Sequence, residues 1–156
     1  MHTRLAIPQE AERLWIIRNQ AIRAGCQTSL TREIIDAWTP NTMPESYRTM
    51  VKNNPFFVVD NKNGEAISTG FLNLTENSVD AIFTLPEYSG QGAAGLILNA
   101  IKTEAIQRGI KQLTLDSTLN AEKFYQRHGF ISVRYDSYFS ALVQANLPCI
   151  HMSIEL

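Results

Sequence analysis

The chain has 156 residues, a length that fits one domain with its own hydrophobic core, and we expect residues 1–156 to form a single domain. Its formal net charge is −1, so the composition gives no electrostatic reason to expect a nucleic-acid partner. No apolar run approaches the roughly 20 residues that cross a bilayer, and the start at Met1–Ile7 lacks the pattern of a signal peptide, so neither membrane insertion nor secretion is expected.

The cysteines and histidines point away from disulfide and metal chemistry. Cys26 and Cys149 are far apart in the sequence, and the expected compartment is a reducing cytoplasm with free thiols. His2, His128 and His151 are scattered, and no cluster of cysteines and histidines has the spacing of metal ligands. We therefore expect no metal cofactor.

The N-terminal part of the chain has apolar residues at helical spacing. This spacing predicts a helix that starts at Pro8 and ends at Gly25, and a second helix over Thr31–Trp38 with Thr31 as its N-cap. A third helix is predicted from a capping box at Thr42–Glu45 to a stop at Asn54-Pro55.

The period then changes to that of strands. Runs over Phe56–Val59, Glu65–Asn73 and Ser78–Leu85 are separated by turn residues, of which Asn63-Gly64 is the strongest hairpin signal. Three successive strands joined by short turns predict an antiparallel meander.

A glycine-rich loop and a strand–helix–strand unit follow the meander. A helix over Ala93–Arg108 and a strand over Gln112–Ser117 complete a unit that is long enough for a parallel crossover. A short helix over Asn120–His128 and strands over Phe130–Arg134 and Ile150–Leu156 end the chain. This order predicts a mixed α/β fold.

The loop Gly90–Gly95 supports two incompatible interpretations. Its spacing is G-x-G-x-x-G before a helix, and Asp116 ends the next strand, which is the outline of a dinucleotide-binding fingerprint. A dinucleotide fold, however, runs its strand straight into the first glycine and repeats the strand–helix unit several times. Pro86 interrupts that approach here, and the about sixty residues after Gly95 are too few for the rest of a doubly wound sheet, so a dinucleotide-dependent oxidoreductase is the less favoured alternative.

Two motifs, in this order, carry a family resemblance. The run Leu85–Ala94 is similar to the P-x-Y-x-G-x-G-x-A/G pyrophosphate loop of the GNAT acetyltransferase superfamily, and the run Asn120–Phe130 is similar to its A-x-x-F-Y-x-x-x-G-F segment. The resemblance implies a central, mixed, mostly antiparallel sheet flanked by helices, with acetyl-CoA as cosubstrate. Two positions depart from the family, which usually has Arg or Gln where Ser89 stands and often Asn where Thr118 stands.

The loop chemistry and the resemblance together indicate the residues that bind the coenzyme. The N-terminus of a helix presents unpaired N–H groups to a pyrophosphate, and glycines let the backbone approach phosphate closely. The resemblance further implies that one strand backbone pairs with the pantetheine arm like an added strand, and that its N–H groups can hold the thioester carbonyl. The expected cofactor-binding residues are Ile82, Phe83, Thr84, Gly90, Gln91, Gly92, Ala93, Ala94, Gly95 and Asn120.

Acetyl transfer to an amine requires two proton movements. The amine must be neutral to attack, and the leaving thiolate, whose thiol resembles a cysteine with a pKa of about 8.5, gains from a proton donor. Family position and this chemistry make Tyr125 the candidate donor. Asp80, which shares a predicted strand face with Ile82 and Thr84, is the candidate base. Glu76 is a weaker candidate, and deprotonation through water without a dedicated base remains an open alternative.

These observations predict an N-acetyltransferase that moves an acetyl group from acetyl-CoA directly to an amine in a ternary complex. The acceptor is expected to be a small-molecule or peptide amine, and the resemblance allows a homodimer. A non-catalytic acyl-CoA-binding sensor on the same fold is the main alternative. The segment Asp136–Pro148, which has no clear regular pattern, and the connection Ala24–Thr31 are expected to shape the acceptor site.

Overall fold

The computed structural model describes residues 1–156, and a sheet of seven strands lies at its centre. The strands are β1 (Thr3–Leu5), β2 (Phe56–Asp60), β3 (Ala66–Asn73), β4 (Ser78–Thr84), β5 (Gln112–Ser117), β6 (Ile131–Ser140) and β7 (Ala145–Glu155). Their order is β1-β2-β3-β4-β5-β7-β6, and every neighbouring pair is antiparallel except β4 and β5. The predicted meander, the single parallel crossover and the mixed α/β fold are confirmed.

Five helices flank the sheet. They are α1 (Ala11–Gly25), α2 (Arg32–Trp38), α3 (Glu45–Asn53), α4 (Ala93–Gln107) and α5 (Glu122–Arg127). Two predicted boundaries are confirmed, because Gly25 ends α1 and the Thr31 side chain caps α2 by accepting a hydrogen bond from the N–H of Ile34 at 3.3 Å. None of the five helices combines the length and the apolar content that a bilayer crossing requires.

The start of α3 differs from the prediction. The capping box at Thr42–Glu45 is wrong, because the helix begins at Glu45 with Pro44 as its N-cap residue and no side chain caps it. Pro44 is held in an extended conformation with φ −65° and ψ 141°, so the chain enters the helix only after this residue. The Glu45 carboxylate lies instead 3.5 Å from Nε of Arg48, one turn further along the helix.

Helices cover both faces of the sheet, as two successive residues of β3 illustrate. A Cβ at Gly70 would lie 2.9 Å from a side-chain atom of Ile97, so α4 packs directly against the backbone of this face. Phe71 points to the opposite face and stacks on Phe56 at a centroid distance of 4.0 Å, and Phe56 meets Tyr47 of α3 at 5.9 Å. The core therefore lies on both sides of the central strands.

The C-terminal hairpin corrects the expectation for Asp136–Pro148. That segment forms a hairpin, since β6 and β7 pair from Ile131–Ser153 to Ser140–Ala145, with one irregularity at Val133 and a turn over residues 141–144. The alternation of polar and apolar residues is missing because β6 is an edge strand whose side chains are almost all exposed. Pro148 is tolerated because the pairing of β7 with β5 stops at Ile150, which leaves Pro148 with a neighbour on one side only.

Candidate functional site

The site begins where β4 and β5 separate. These parallel strands pair through Ser78 and Thr114 and then diverge, so the backbone edge of β4 beyond that pair faces a gap in the sheet. Within β4, two residues, Ala81 and Ile82, lie opposite the single residue Gly70 of β3 and form a β-bulge. Ala81 has a positive φ of 54°, a conformation that costs a non-glycine residue about 1–3 kcal/mol and that persists mainly at functional sites.

The bulge corrects the predicted faces of β4. Strict alternation would place Asp80, Ile82 and Thr84 on one face, but the extra residue shifts the alternation by one position. Asp80 consequently lines one cleft, whereas Ile82 and Thr84 line another. The sequence carries no signal for this bulge, because the residue in the left-handed conformation is an alanine rather than a glycine.

Two clefts meet at the gap. The front cleft has a volume of about 540 Å³, and its charged lining residues are Arg18, Glu76, Asp80 and Asp116. The rear cleft has a volume of about 460 Å³ and no charged lining residue, and its polar lining residues are Thr84, Ser89, Thr118, Asn120 and Tyr125 together with the Cys26 thiol. Three residues line both clefts, namely Phe83, Thr118 and Tyr125.

Tyr125 lies at this junction and projects from the short helix α5. Its ring is 8% exposed and is fixed by edge contacts with Phe124 at 5.1 Å and Phe130 at 5.8 Å between centroids. Its hydroxyl makes no hydrogen bond within the chain, so it is available to a ligand. Burial raises the pKa of Tyr125, and the nearby Asp80 carboxylate raises it further, so the phenol stays protonated at neutral pH.

Asp80 is half-buried at the floor of the front cleft. Its carboxylate accepts hydrogen bonds from Asn73 Nδ2 at 3.1 Å and from Ser78 Oγ at 2.8 Å. Burial raises the pKa of Asp80; these two hydrogen bonds oppose the rise, and the carboxylates of Asp116 and Glu76 add to it. A carboxylate with a raised pKa, held in place by two donors, is suited to accept a proton.

The glycine-rich loop leads into α4 beside the rear cleft. Gly90 and Gly92 have positive φ values of 77° and 89°, and no atom lies within 4 Å of the position that a Cβ would occupy at either residue. Gly92 is the N-cap residue of α4, and the first N–H groups of the helix have no partner within it. The loop therefore offers bare backbone in open space at the positive end of a helix.

Three predicted loop residues have surroundings that differ from those of Gly90 and Gly92. The side chain of Gln91 lines a separate cavity near the N-terminus, together with Tyr88 and Asn61. Ala93 is buried in the core at 2% exposure. A Cβ at Gly95 would lie 3.3 Å from Cε1 of His128, so the packing of α4 against α5 is sufficient to explain a small residue there. Ala94, by contrast, lines the rear cleft.

Asn120 forms part of the rear cleft and contacts the end of α1. Its Nδ2 atom lies 2.9 Å from the position of a Cβ at Gly25, and its Oδ1 atom accepts a weak hydrogen bond from the Cys26 thiol at 3.8 Å. The glycine that ends α1 is thus also the residue that lets α1 approach Asn120. The predicted connection Ala24–Thr31 contributes its first residues to this cleft rather than to the front one.

Sequence reasoning missed Arg18 and His151, which both line the front cleft. Arg18 is 9% exposed and lies four residues from both Leu14 and Ile22, so a charge at core spacing was the signal that could have revealed it. His151 Nδ1 lies 3.0 Å from Asp116 Oδ1 across the pair of strands β5 and β7, a contact that the separation of 35 residues hides.

The topology also decides between the two interpretations of the loop. The strand before the loop is antiparallel to β3, and β4 and β5 are the only parallel pair in the sheet, whereas a dinucleotide fold needs a doubly wound parallel sheet. Asp116 lines the front cleft beside His151, on the acidic side of the gap, rather than the rear cleft beside the loop. The dinucleotide alternative is wrong.

Comparisons with known proteins agree with this topology. A family model described as an acetyltransferase (GNAT) domain matches residues 26–156. The chain is 26% identical over 128 residues to the uncharacterized N-acetyltransferase YafP of Escherichia coli, which covers 81% of this chain and 79% of that protein. It is 35% identical over 74 residues to an uncharacterized acetyltransferase of Streptococcus pyogenes serotype M1, covering 45% of this chain and 51% of that protein.

Solved structures share the fold over nearly the whole chain. A GCN5-related N-acetyltransferase from Rhodopseudomonas palustris superposes with a TM-score of 0.89 at 19% identity, over 99% of this chain and 94% of that one. The PaiA N-acetyltransferase from Thermoplasma acidophilum, solved in complex with coenzyme A, superposes with a TM-score of 0.78 at 14% identity over the full length of both chains.

Proposed function

Because the chain belongs to the GNAT acetyltransferase family, we propose that it transfers an acetyl group from acetyl-CoA directly to an amine while both substrates are bound. The observation that carries the proposal is the meeting of two clefts at Tyr125. Direct transfer requires two substrates to reach one point by separate routes, and the gap between β4 and β5 supplies such a point.

The rear cleft suits the coenzyme. Gly90 and Gly92 present backbone that a phosphate can approach, and the N-terminus of α4 places unpaired N–H groups and a partial positive charge beside it. The free edge of β4 over Ile82, Phe83 and Thr84 can pair with the amides of the pantetheine arm as an added strand would. When bound, acetyl-CoA supplies the thioester whose carbonyl carbon the amine attacks.

The front cleft suits an amine. Asp80, Glu76 and Asp116 give it a negative potential that attracts an ammonium group, whereas the rear cleft carries no such charge. Because the same carboxylates stabilise the ammonium form, the acceptor needs a base close by. Asp80, whose pKa is raised by burial, takes that proton directly or through one water.

Tyr125 serves as the acid at the junction of the clefts. Its pKa is raised, so the hydroxyl carries its proton at neutral pH and can donate it to the departing thiolate. The bulge of β4 interrupts its regular pairing with β3, and N–H groups of this segment can stabilise the oxygen on which negative charge develops. Asp80 and Tyr125 thus move two different protons in opposite directions.

The first experiment is thermal unfolding with acetyl-CoA, coenzyme A and NADPH, each at about 100 times a typical dissociation constant. Saturation to that degree adds about 2.7 kcal/mol of stability, which raises the Tm of a domain of this size by roughly 5–10 °C. We expect a shift with acetyl-CoA and coenzyme A and none with NADPH. A shift with neither coenzyme would contradict the proposed cofactor.

A second experiment separates an enzyme from an acyl-CoA sensor. Release of the coenzyme A thiol is measured with a panel of small amines and peptides, in the presence and absence of each acceptor. An enzyme releases thiol in amounts that rise with acceptor concentration, and the acetylated amine appears in equal amount. A protein that gains the thermal shift but turns over none of the acceptors behaves as a sensor instead.

A further inference from the structure

One arginine on the inner face of α1 differs from its neighbours. Arg18 is 9% exposed, and only its Nη1 atom is engaged, with Asn19 Oδ1 at 2.7 Å and with the carbonyl oxygen of Trp38 at 2.9 Å. Its Nε and Nη2 atoms make no hydrogen bond, and no carboxylate forms an ion pair with it. The other α1 arginines, Arg13 and Arg23, both use Nε and Nη2 to bind backbone or side-chain oxygens.

The Arg18 side chain is held in place despite its missing partner. The guanidinium carbon lies 4.3 Å from the centroid of the Trp15 ring and 5.7 Å from that of Trp38, so two aromatic faces orient it. Burial lowers the pKa of Arg18 to about 10, which still leaves the group charged at neutral pH. A buried cation without a counter-charge is unfavourable, so a ligand that supplies the counter-charge gains from its presence.

The two unused nitrogens form the edge of the guanidinium that binds a carboxylate bidentately. The same chain contains an example of this geometry, since Arg4 holds Asp60 through Nε at 2.8 Å and Nη2 at 3.0 Å. Arg18 lines the front cleft together with Tyr47 and Tyr138. No hydrogen bond or ion pair joins Arg18 to any of the carboxylates that line the same cleft, namely Asp80, Glu76 and Asp116.

We propose that Arg18 binds a carboxylate of the acceptor, so that the substrate is an amino acid or a related molecule with both an amine and a carboxylate. This inference rests on the proposed acetyl transfer and names the substrate class of the same cleft. The cleft is lined by one guanidinium, Arg18, and by three carboxylates, Asp80, Glu76 and Asp116, and a zwitterionic substrate offers a counter-charge to both. Amines and polyamines that lack a carboxylate leave Arg18 without a partner.

The test compares acceptors that differ only in this group. A series of α-amino acids, β-alanine and 4-aminobutyrate is assayed beside the corresponding carboxamides, and kcat/KM is measured for each member of a pair. We expect the wild-type protein to prefer the acids by roughly 10- to 100-fold, because hydrogen bonds to charged groups contribute that much to binding. The ammonium group of each carboxamide loses its proton more easily than that of the matching acid, so more of the carboxamide is in the reactive neutral form. A preference for the acid therefore cannot arise from the protonation of the amine.

Two variants locate the preference. In Arg18→Gln the ratio of acid to amide should fall to about one, because the bidentate cation is gone. In the matched control Arg23→Gln, which removes an arginine from the same helix but not from either cleft, the ratio should stay at the wild-type value. The proposal would be overturned if the wild-type protein used acids and amides equally well. It would also be overturned if Arg18→Gln kept the preference for acids. The first of these results is obtained with the wild-type protein alone, so it does not depend on whether a variant folds.

Binding without turnover separates this proposal from the proposed function. Calorimetric titration of each acid into protein saturated with coenzyme A should give a Kd at least about 10-fold tighter for wild type and Arg23→Gln than for Arg18→Gln. If no amine is acetylated but this difference is measured, the acetyltransferase is refuted and the carboxylate site is supported. Equal binding to all three proteins refutes the carboxylate site, whether or not acetyl transfer occurs.

Discussion

The front and rear clefts meet at one tyrosine but differ in how they can hold a ligand. The front cleft is lined by charged side chains of both signs, the Arg18 guanidinium and the carboxylates of Asp80, Glu76 and Asp116. The rear cleft is lined by no charged side chain, and the loop beside it offers glycines with positive φ and a helix N-terminus. Side-chain charge is therefore the main means by which the front cleft can hold a ligand, and backbone geometry is the main means in the rear cleft.

This difference predicts two kinds of mutational effect. Replacing a polar side chain in the front cleft should change the chemical step or the choice of acceptor and leave coenzyme affinity nearly intact. In the rear cleft, substitutions that alter backbone shape should weaken the coenzyme, whereas most other side-chain changes should matter little. Tyr125, which lines both clefts, is the position at which the two rules can be compared.

The largest expected effect is that of Tyr125→Phe on turnover. Loss of the proton donor should lower kcat by roughly 10²–10⁴-fold, the usual contribution of general acid catalysis. The Kd for acetyl-CoA should change by less than about threefold, because the ring keeps its contacts with Phe124 and Phe130. Steady-state kinetics and calorimetry measure the two quantities separately.

A matched control for this variant is Tyr135→Phe. The Tyr135 hydroxyl hydrogen-bonds to Glu122, which lies on the same helix as Tyr125, but the residue is 71% exposed on the edge strand β6. Its loss should leave kcat near the wild-type value. Near-normal turnover in Tyr125→Phe would exclude the tyrosine as the acid.

The next effect is that of Gly92→Val on coenzyme binding. Valine is strongly disfavoured at φ 89°, and its side chain would enter the open space that a phosphate needs. Loss of charge-assisted hydrogen bonds to one phosphate should weaken acetyl-CoA by roughly 10²-fold or more. The Kd is measured by calorimetry.

Gly109→Val separates a local backbone effect from loss of the binding loop. Gly109 follows the other end of α4, has φ 78° and also has no atom within 4 Å of its Cβ position. Both variants should lose similar stability, but only Gly92→Val should lose coenzyme affinity. Equal coenzyme affinity in the two variants would show that the loop is merely a turn.

Asp80→Asn tests the base in the front cleft. The variant should lower kcat/KM by about 10²-fold. In the wild-type protein, activity should rise with pH as Asp80 loses its proton, at a pH above the usual carboxyl range because burial raises its pKa. That rise should be absent from the pH profile of Asp80→Asn. Glu76→Gln is the comparison. A larger loss of kcat/KM in Glu76→Gln than in Asp80→Asn would assign the base to Glu76. Normal kcat/KM in both variants would favour deprotonation through water.

The raised pKa of Asp80 also affects stability. The Asp80 carboxyl group ionises less readily in the folded chain than in the unfolded one. Its contribution to the free energy of unfolding is therefore complete below its pKa in the unfolded chain, about 3.9, and is lost as the pH rises through its pKa in the folded chain. The stability of Asp80→Asn relative to wild type should therefore increase from about pH 4 upward. Urea unfolding at several pH values measures this, and a difference that is independent of pH would contradict the raised pKa.

The rear cleft was more predictable than the front one for a physical reason. Its loop must be bare backbone at a helix start, and such a requirement leaves contiguous glycines and small residues that are visible in Leu85–Ala94. The meander of β2, β3 and β4 was also predictable, because turn residues such as Asn63-Gly64 separate short apolar runs. Even here, the close packing of Gly95 against His128 is a constraint that local spacing does not reveal.

The front cleft depends on contacts between distant residues. Arg18, Asp80 and His151 come from α1, β4 and β7, and no local pattern links them. The bulge at Ala81 reversed the predicted face of part of β4 because alanine gives no warning of a positive φ. The predicted strands at Phe130–Arg134 and Ile150–Leu156 are present, but their extension over Asp136–Pro148 was missed because the exposed edge strand lacks apolar alternation there. Each error arises where tertiary pairing, rather than local preference, decides the structure.

The smallest expected effect comes from adding a charge to the uncharged cleft. Ser89 is an exposed residue of the rear cleft at a position where the family usually has arginine or glutamine. Ser89→Arg should tighten acetyl-CoA by about fivefold at low salt, because an exposed ion pair contributes about 1 kcal/mol or less. The gain should shrink as salt is added, since screening weakens an exposed pair over about 10 Å at 0.1 M.

Ser89→Gln is the uncharged partner of that variant, and calorimetry at two salt concentrations compares the two. A gain with arginine alone that disappears in salt would mean that backbone groups hold the phosphates and that side-chain charge only adds to them. A gain of 100-fold or more with arginine would mean that the backbone cradle is weak by itself. In that case side-chain charge would govern coenzyme binding in the rear cleft as well, and the proposed difference between the two clefts would be wrong.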